Sequence, residues 1–439
     1  IACIQSALDA ITTEEDGTDN AITVRLPSGR FDVSPACSKG SCFELKGGIQ
    51  IVGEMPRIKY KVTPAPDLGM SPNGGTWLDP GRVNTLFTGQ HLRGVVLENF
   101  GVENFGKIAV FGGDGEDGIS FSVIRNVYGV GTSHLASLRT QTAFELYNIQ
   151  HLRMDHVKLY FVERGLHVIS QIGTWQPGNS VITDLYVRTY PDPQGGIRLE
   201  VLQPTYGSAK MLNYITFLRP QVNAFNSTFA PGTSGIHLKG LRGAAPAQLM
   251  TILGADVEGK TEVGIRLEEA DKNHIQIQLV DGDTIGVSLD NGSQFNTIYS
   301  NHDRVRVAND QPLNLFFGNF DEVGETLMHG LYWNRTDQKW YLDLAGGSRV
   351  SVGENNLWYD PAGDVWRTKD GTSNADGDGA PLIKGSGATA AHGVAFWASA
   401  GTSCTTACAS SALSCASAFA GDVQVACSSS AARRICDCR

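Results

Sequence analysis

The sequence predicts an all-β protein: a parallel β-helix, then a small C-terminal β-hairpin module and a disulfide-rich tip. Three observations carry that expectation. Short runs of alternating apolar residues, each closing near Asn, Gly or Asp, recur from about Leu92 to Ile298 with almost no helix between them. Charged residues are 18% of the 439, below the ~25% usual for soluble proteins, while 51 glycines suit a turn-rich β chain. The nine cysteines occupy only the two ends, at Cys3, Cys37 and Cys42 and then at Cys404, Cys408, Cys415, Cys427, Cys436 and Cys438.

Each element follows from local pattern. Residues 4–11 place apolar side chains at helical spacing. Residues 22–33 read as a strand, a Pro27-Ser28-Gly29 turn and a second strand, and residues 43–45 and 48–54 as further strands. The rungs follow, with clear alternation at 95–100, 119–127, 181–187, 213–218, 236–238, 265–267, 275–279 and 284–289. In the last of these Ile285, Val287 and Leu289 share a face. A chain of this length is too long for one ordinary compact core, whereas a solenoid escapes the limit because each rung packs only on its neighbours.

Beyond Asp310 the texture changes. Leu331-Tyr332-Trp333-Asn334 with Trp340-Tyr341-Leu342 reads as an aromatic hairpin, and Leu357-Trp358-Tyr359-Asp360 with Val365-Trp366-Arg367 repeats it. The expected domains are a cap and opening strands over 1–60, the β-helix over 61–310, the hairpin module over 311–383, a Gly/Ala/Ser-rich connection over 384–403 and a cysteine-rich module over 404–439. The density of cysteines in that last module points to disulfides in an oxidising compartment, with connectivity open. A zinc site is the competing reading, but paired CxxC knuckles are lacking there.

The opening segment resembles that of pectate-lyase-like right-handed β-helix proteins, including many phage tailspikes. The residues that carry the resemblance are Ile4, Gln5, Ala7 and Leu8 of the capping helix, then Val24, Leu26, Pro27, Gly29, Phe31 and Val33, then Ile49, Ile51, Val52 and Gly53. It implies a right-handed parallel β-helix and a virus tail spike or fibre-like protein that engages cell-surface polysaccharide, with depolymerisation as an activity. It also implies a homotrimer at the virion surface or otherwise outside the cell. A secreted polysaccharide lyase or glycoside hydrolase and a non-enzymatic fibre or adhesin are the alternatives.

Composition narrows the partners. A net charge of −10 argues against general nucleic-acid binding, which needs a basic face. No run reaches the ~18 apolar residues of a membrane span. The start at Ile1 suggests that the natural N-terminus lies upstream. GxSxG and HExxH motifs are absent from the sequence.

Polysaccharide cleavage needs either two carboxylates, or a base with a cation that neutralises a uronate. Asp155, His156, Glu163, Arg164 and His167 form a dense polar set on neighbouring strands, and Asp184, Arg188, Asp192 and Glu200 line an adjacent face as an outward stripe; Glu163, Asp184 and Glu200 are the catalytic candidates among them. Asp256 and Glu258 alternate with apolar residues and so share a face, about 7 Å apart along a strand. No cofactor is required, but the acidic glycine-rich loops with Asp114, Glu116 and Asp117, and with Asp376 and Asp378, offer oxygen ligands for Ca2+. Each of these sets reads equally as a solvated turn or a structural ion pair. The tryptophans of the C-terminal hairpins offer sugar-stacking faces or hairpin packing.

Overall fold

A computed structural model describes residues 4–6, 8, 22–38, 40–62, 68–113, 118–131, 142–171, 178–189, 195–202, 212–224, 230–241, 247–259, 261–281, 285–300, 305–309 and 313–322. It also describes the strands His329–Asn334, Lys339–Leu344, Ser348–Val352, Leu357–Asp360, Val365–Thr368, Ala380–Pro381, Val394–Ala398, Cys415–Ala420, Val423–Val425 and Arg434–Cys438, with residues 405, 409 and 428. The chain forms two units, Ile1–Leu327 and Met328–Arg439.

The first unit is a parallel β-helix with three faces. On the first face the strand Ile22–Arg25 pairs in register with Ile49–Val52, and the ladder then runs through Val96, Val123, Arg153, Val181, Thr216, Thr251, His274, Thr297 and Leu315. The second face climbs from Gly29–Asp32 through Thr76–Asp79, Lys158–Val162, Tyr186–Thr189 and Gln221–Ala224 to the later part of Thr251–Gly259. The third rises from Ser41–Glu44 through Thr85–Gly89, Lys107–Phe111, Thr142–Tyr147, Arg164–Ser170, Ile197–Val201, Ala230–Lys239 and Thr261–Glu268 to Ile285–Asp290 and Arg306–Asn309.

Alternation explains why these residues form strands and what they bury. One inward position of the first face reads Ile51, Leu97, Ile124, Met154, Ile182, Phe217, Ile252, Ile275, Ile298 and Phe316 rung after rung, all at most 1% exposed. Each such side chain contributes on the order of 1.5–3 kcal/mol by leaving water. Coaxial stacking thereby replaces a globular core.

The corners demand a left-handed backbone. Between the first and second faces that position is filled by Asn99, Asn126, His156, Asp184, Arg219 and Gly254, all at positive φ. A second left-handed column, just ahead of the first face, holds Gly48, Gly94, Phe121, His151, Asn179, Tyr214, Leu249, Lys272 and Phe295. The expectation of Asn, Gly and Asp at corners describes the first column well and the second poorly.

Polar groups inside the corner next to the first face are satisfied by stacked side chains. Ser122 and Ser180 accept the backbone N–H of Val95 and Leu152, at sequence separations of 27 and 28. In the later, shorter rungs asparagine takes over. Asn273, Asn296 and Asn314 accept the amides of Met250, Asn273 and Asn296 at separations of 23, 23 and 18, and each side-chain amide donates to a carbonyl of the rung before. Backbone amides on one side and carbonyls on the other need both an acceptor and a donor; Asn donates to the rung before, whereas Ser122 and Ser180 donate within their own rung, to Ser120 and Gly178.

Boundaries shift from their sequence positions. The ladder starts at Ile22 rather than after residue 60, because the antiparallel hairpin Ile58–Val62 with Leu68–Pro72 is inserted between early rungs and hides their period. It continues through Leu315–Glu322 rather than stopping at 310. Ile4 and Leu8 are buried and helical, as their i, i+4 spacing requires. Cys37 and Cys42 form a disulfide across a short turn. Among the described residues no helix is long and apolar enough to cross a membrane.

In the second unit both aromatic hairpins are antiparallel pairs, with Trp333 opposite Trp340 and Tyr359 opposite Trp366. The expected connection over 384–403 contributes a strand, Val394–Ala398, which pairs with Arg434–Cys438 in a four-stranded antiparallel sheet.

Asn296→Ala would leave the Asn273 amide and the Ala270 carbonyl buried without partners. At roughly 1–3 kcal/mol per orphaned group, urea unfolding should show a loss of at least about 2 kcal/mol; a loss under ~0.5 kcal/mol would mean that the ladder contributes nothing.

Candidate functional site

The third face gathers the densest buried charge among the described residues. Its inward positions are Leu166, Ile197, Ile236 and Ile265 and, two residues on, Val168, Leu199, Leu238 and Leu267, all fully buried. The residues between them alternate outward and stack in two rows. The first row reads Glu145, His167, Arg198, His237 and Arg266; the second reads Glu200, Lys239, Glu268 and Asp290. His167, Arg198, Glu200 and His237 are nevertheless 5–8% exposed.

Glu200 is the hub of the first cluster. Arg198 donates to it twice, at 2.9 and 2.7 Å, His167 Nε2 lies 3.2 Å away and Lys239 Nζ 3.4 Å. Burial alone would raise its pKa, but the contacts with His167 and Arg198 and the charge of Lys239 hold the carboxyl far below the usual carboxylate range. Glu200 is therefore ionised and poorly suited to donate a proton. Arg164 Nη1 lies 3.1 Å from His167 Nδ1 and can only donate, so Nδ1 carries the lone pair and Nε2 the proton offered to Glu200. Burial lowers the His167 pKa, with Glu200 opposing and Arg164 assisting. One rung earlier Glu145 accepts from Lys107 at 2.8 Å and from Tyr147 at 3.0 Å, and those bonds, against burial, keep its pKa low.

His237 differs from His167. Its Nε2 lies 3.3 Å from Glu268 Oε2, an ion-pair distance, yet neither ring nitrogen makes an aligned hydrogen bond. Burial lowers its pKa most, with Glu268 opposing and Arg198 and Arg266 assisting, so the imidazole is neutral at neutral pH. Contact with His237, then the charges of Lys239 and Arg266, keep Glu268 ionised against burial. Register places Arg198 one rung before His237 and Arg266 one rung after, each about 4.8 Å along the axis. Arg266 Nε is also buried without a hydrogen-bond acceptor and sits 3.8 Å from Asp290. A neutral imidazole whose nitrogens lack an aligned hydrogen bond, beside a carboxylate that can orient it, has the chemistry of a general base.

The sequence-derived stripe is divided among faces. Glu200 lies in this cluster, whereas Asp184 sits at the corner between the first and second faces, Arg188 lies on the second, and Asp192 lies outside the described residues. Glu163 is a bend residue between Lys158–Val162 and Arg164–Ser170, which is why Arg164 and His167 restart on the third face. Asp184 binds Arg219 through both oxygens at 2.8 Å and approaches His156 at 3.4 Å, and Asp155 meets His156 at 2.9 Å. Those three could surround a cation, but the guanidinium already neutralises Asp184.

Asp256 and Glu258 share the second face as expected, below Gln221 and Asn223. Asn223 donates to Glu258 at 2.9 Å, while one buried oxygen of Asp256 has no partner; burial and the Glu258 charge raise its pKa. Asp114, Glu116, Asp117, Asp376 and Asp378 lie outside the described residues. Sequence reading missed Arg198, His237, Lys239, Arg266 and Glu268 as a set. The signal was present: Ile197-Arg198-Leu199-Glu200, Ile236-His237-Leu238-Lys239 and Ile265-Arg266-Leu267-Glu268 repeat one charged phase over three rungs.

No protein-family model and no curated protein matches the sequence. Among solved structures, the A-module of the mannuronan C-5 epimerase AlgE4 of Azotobacter vinelandii is similar, with a TM-score of 0.44 at 17% identity over 79% of this chain and 95% of that one. At that level the architecture rests on the strand pairings themselves, and the chemistry on the residues.

Glu200→Gln should destabilise the protein by roughly 3–5 kcal/mol, since Arg198 and Lys239 lose their buried countercharge. The two histidines add a pH signature. Their folded pKa values lie below the ordinary ~6.5, so the unfolded chain takes up protons first and stability falls as pH drops below that value. Equilibrium unfolding between pH 7 and 5 should show this slope, and His167→Gln with His237→Gln should flatten it; an unchanged slope would refute the assignment.

Proposed function

We propose that the third face binds an acidic, uronate-containing polysaccharide and removes the proton on the carbon that bears the carboxylate. The observation that carries this reading is His237: buried, neutral, with ring nitrogens that lack an aligned hydrogen bond, beside Glu268 and between Arg198 and Arg266. The imidazole accepts the proton, and Glu268 stabilises the imidazolium that forms. Arg266, whose Nε lacks an acceptor, neutralises the uronate carboxylate and the negative charge that spreads onto it as the C–H bond breaks, while Arg198 stays on Glu200. Expulsion of the glycosidic oxygen at the adjacent carbon, which leaves as a hydroxyl by taking a proton from water, would cut the chain and leave an unsaturated sugar. Return of a proton from the opposite side would instead invert the centre.

Extracellular placement, and a tail spike or fibre-like homotrimer, is the setting we propose from the opening-segment resemblance. A secreted lyase would carry the same chemistry as a monomer, and native mass separates the two. A second reading rests on Asp256. Its raised pKa beside the Glu258 carboxylate suits the acid and base pair of a glycoside hydrolase.

The test is incubation with polygalacturonate, alginate and neutral polymers, following unsaturated-sugar absorbance and solvent-deuterium incorporation. His237→Ala should reduce either signal by roughly 10²–10⁴-fold, the range of a general base. Turnover of a uronate polymer at the wild-type rate by that variant would overturn the assignment. New reducing ends without unsaturation, abolished by Asp256→Asn, would establish the hydrolase reading instead.

A further inference from the structure

The second left-handed column poses a separate question. Its backbone is fixed by the corner, and glycine occupies it at Gly48 and Gly94. Left-handed backbone disfavours bulky side chains, because Cβ crowds the carbonyl that follows. Yet later rungs place Phe121, Tyr214 and Phe295 there, at φ of 48, 53 and 57° and 49, 54 and 53% exposed. A large ring that is both conformationally disfavoured and half in water gains little from the fold. The usual direction of inference then runs from the outlier to a function.

The rings have a regular arrangement. One such position occurs per rung, so Phe121 and Tyr214, and again Tyr214 and Phe295, are three rungs or on the order of 14 Å apart. Phe121 is held in place by stacking on His151 at 4.6 Å, with the Arg93 guanidinium 5.0 Å from its ring centre. Charge on this strip runs against the chain as a whole. This column and the adjacent outward row of the first face, which runs from Val96 to Thr297, contain Arg153, Lys272, His151 and His274 and no carboxylate among their described residues. The protein as a whole carries −10.

We propose that this corner is a non-catalytic binding track for an acidic glycan chain laid along the helix axis. The rings meet the apolar faces of the sugars, and the basic residues meet their carboxylate or sulfate groups. The inference shares its ligand class with the preceding reading but uses none of its residues. Aromatic spacing fixed by the rungs suits a polymer rather than a single sugar, since one ring in the surface gives little affinity and several in line add through a common chain.

The experiment pairs binding with stability. Phe121→Asn, Tyr214→Asn and Phe295→Asn, combined, put a residue tolerant of this backbone at each position. Affinity electrophoresis in gels of polygalacturonate, alginate or neutral dextran, run in the His237→Ala background, measures binding without cleavage. Expected are retardation by the acidic polymers only, at least a tenfold loss in the triple variant, and a Tm unchanged or raised. Wild-type-like retardation of the triple variant, a Tm lowered by several degrees, or equal retardation in dextran would overturn the proposal. So would a change of native mass in the triple variant, which would make a second copy of the chain the occupant. Binding through the track in a protein that never turns over uronates would leave this proposal standing while the His237 reading fails.

Discussion

In-register parallel hydrogen bonding between successive rungs is the constraint on which the rest of this structure depends. It puts a given position of one rung directly above the same position of the last, about 4.8 Å away, so a side chain's nearest neighbours are its own equivalents. Inside the helix this is simple to satisfy. Ile51, Leu97, Ile124 and Met154 can stack indefinitely because apolar contacts have no sign. Polar positions are harder, and the corner ladder shows the answer: Asn273, Asn296 and Asn314 each act as donor and acceptor, so a column of one residue type remains satisfied in both directions.

Charge cannot stack on itself in the same way. Like charges one rung apart repel, and burial makes the repulsion stronger. One row of the third face alternates over three rungs, Glu200 against Lys239 against Glu268, before Asp290 follows Glu268, while Arg198 folds sideways onto Glu200 within its own strand. The first row does not alternate at all. Arg198, His237 and Arg266 follow one another, and a neutral imidazole between two guanidinium groups is what makes the sequence tolerable. The same arrangement leaves His237 without an aligned partner and Arg266 Nε without an acceptor. Ser170 and Ser234 of the same face also hold a buried hydroxyl without a partner, so the unsatisfied groups among the described residues concentrate on this face.

Much of the fold was legible because it depends on period. Alternation within strands marks the rungs, and the i, i+4 spacing of Ile4 and Leu8 marks the cap. What period could not supply is register between rungs of unequal length. Arg188 and Glu200 look adjacent in sequence but lie on strands of different faces, whereas Arg198 and His237 look distant and are neighbours. The inserted hairpin Ile58–Val62 with Leu68–Pro72 hid the first rungs for the same reason. Carboxylates were easier to single out than histidine because acid–base chemistry on polysaccharides is usually written with two of them. The repeated Ile-Arg-Leu-Glu phase of the third face was the better guide, as it links residues by position in the rung rather than by chemistry.

The two left-handed columns separate structural need from surplus. Both are imposed by the same geometry, and glycine and asparagine satisfy it at least strain. Asn99 and Asn126, bonded to each other at 2.8 Å, follow that logic between the first and second faces. Phe121, Tyr214 and Phe295 do not, and neither burial nor a hydrogen bond compensates them. A solenoid makes such departures easy to recognise, because every rung offers the same site and the other rungs act as internal controls. On this chain the departures are aromatic, exposed and in line, while the charged departures are buried on another face. The one surface suits holding a polymer and the other altering it, and a rigid helix fixes the distance between them.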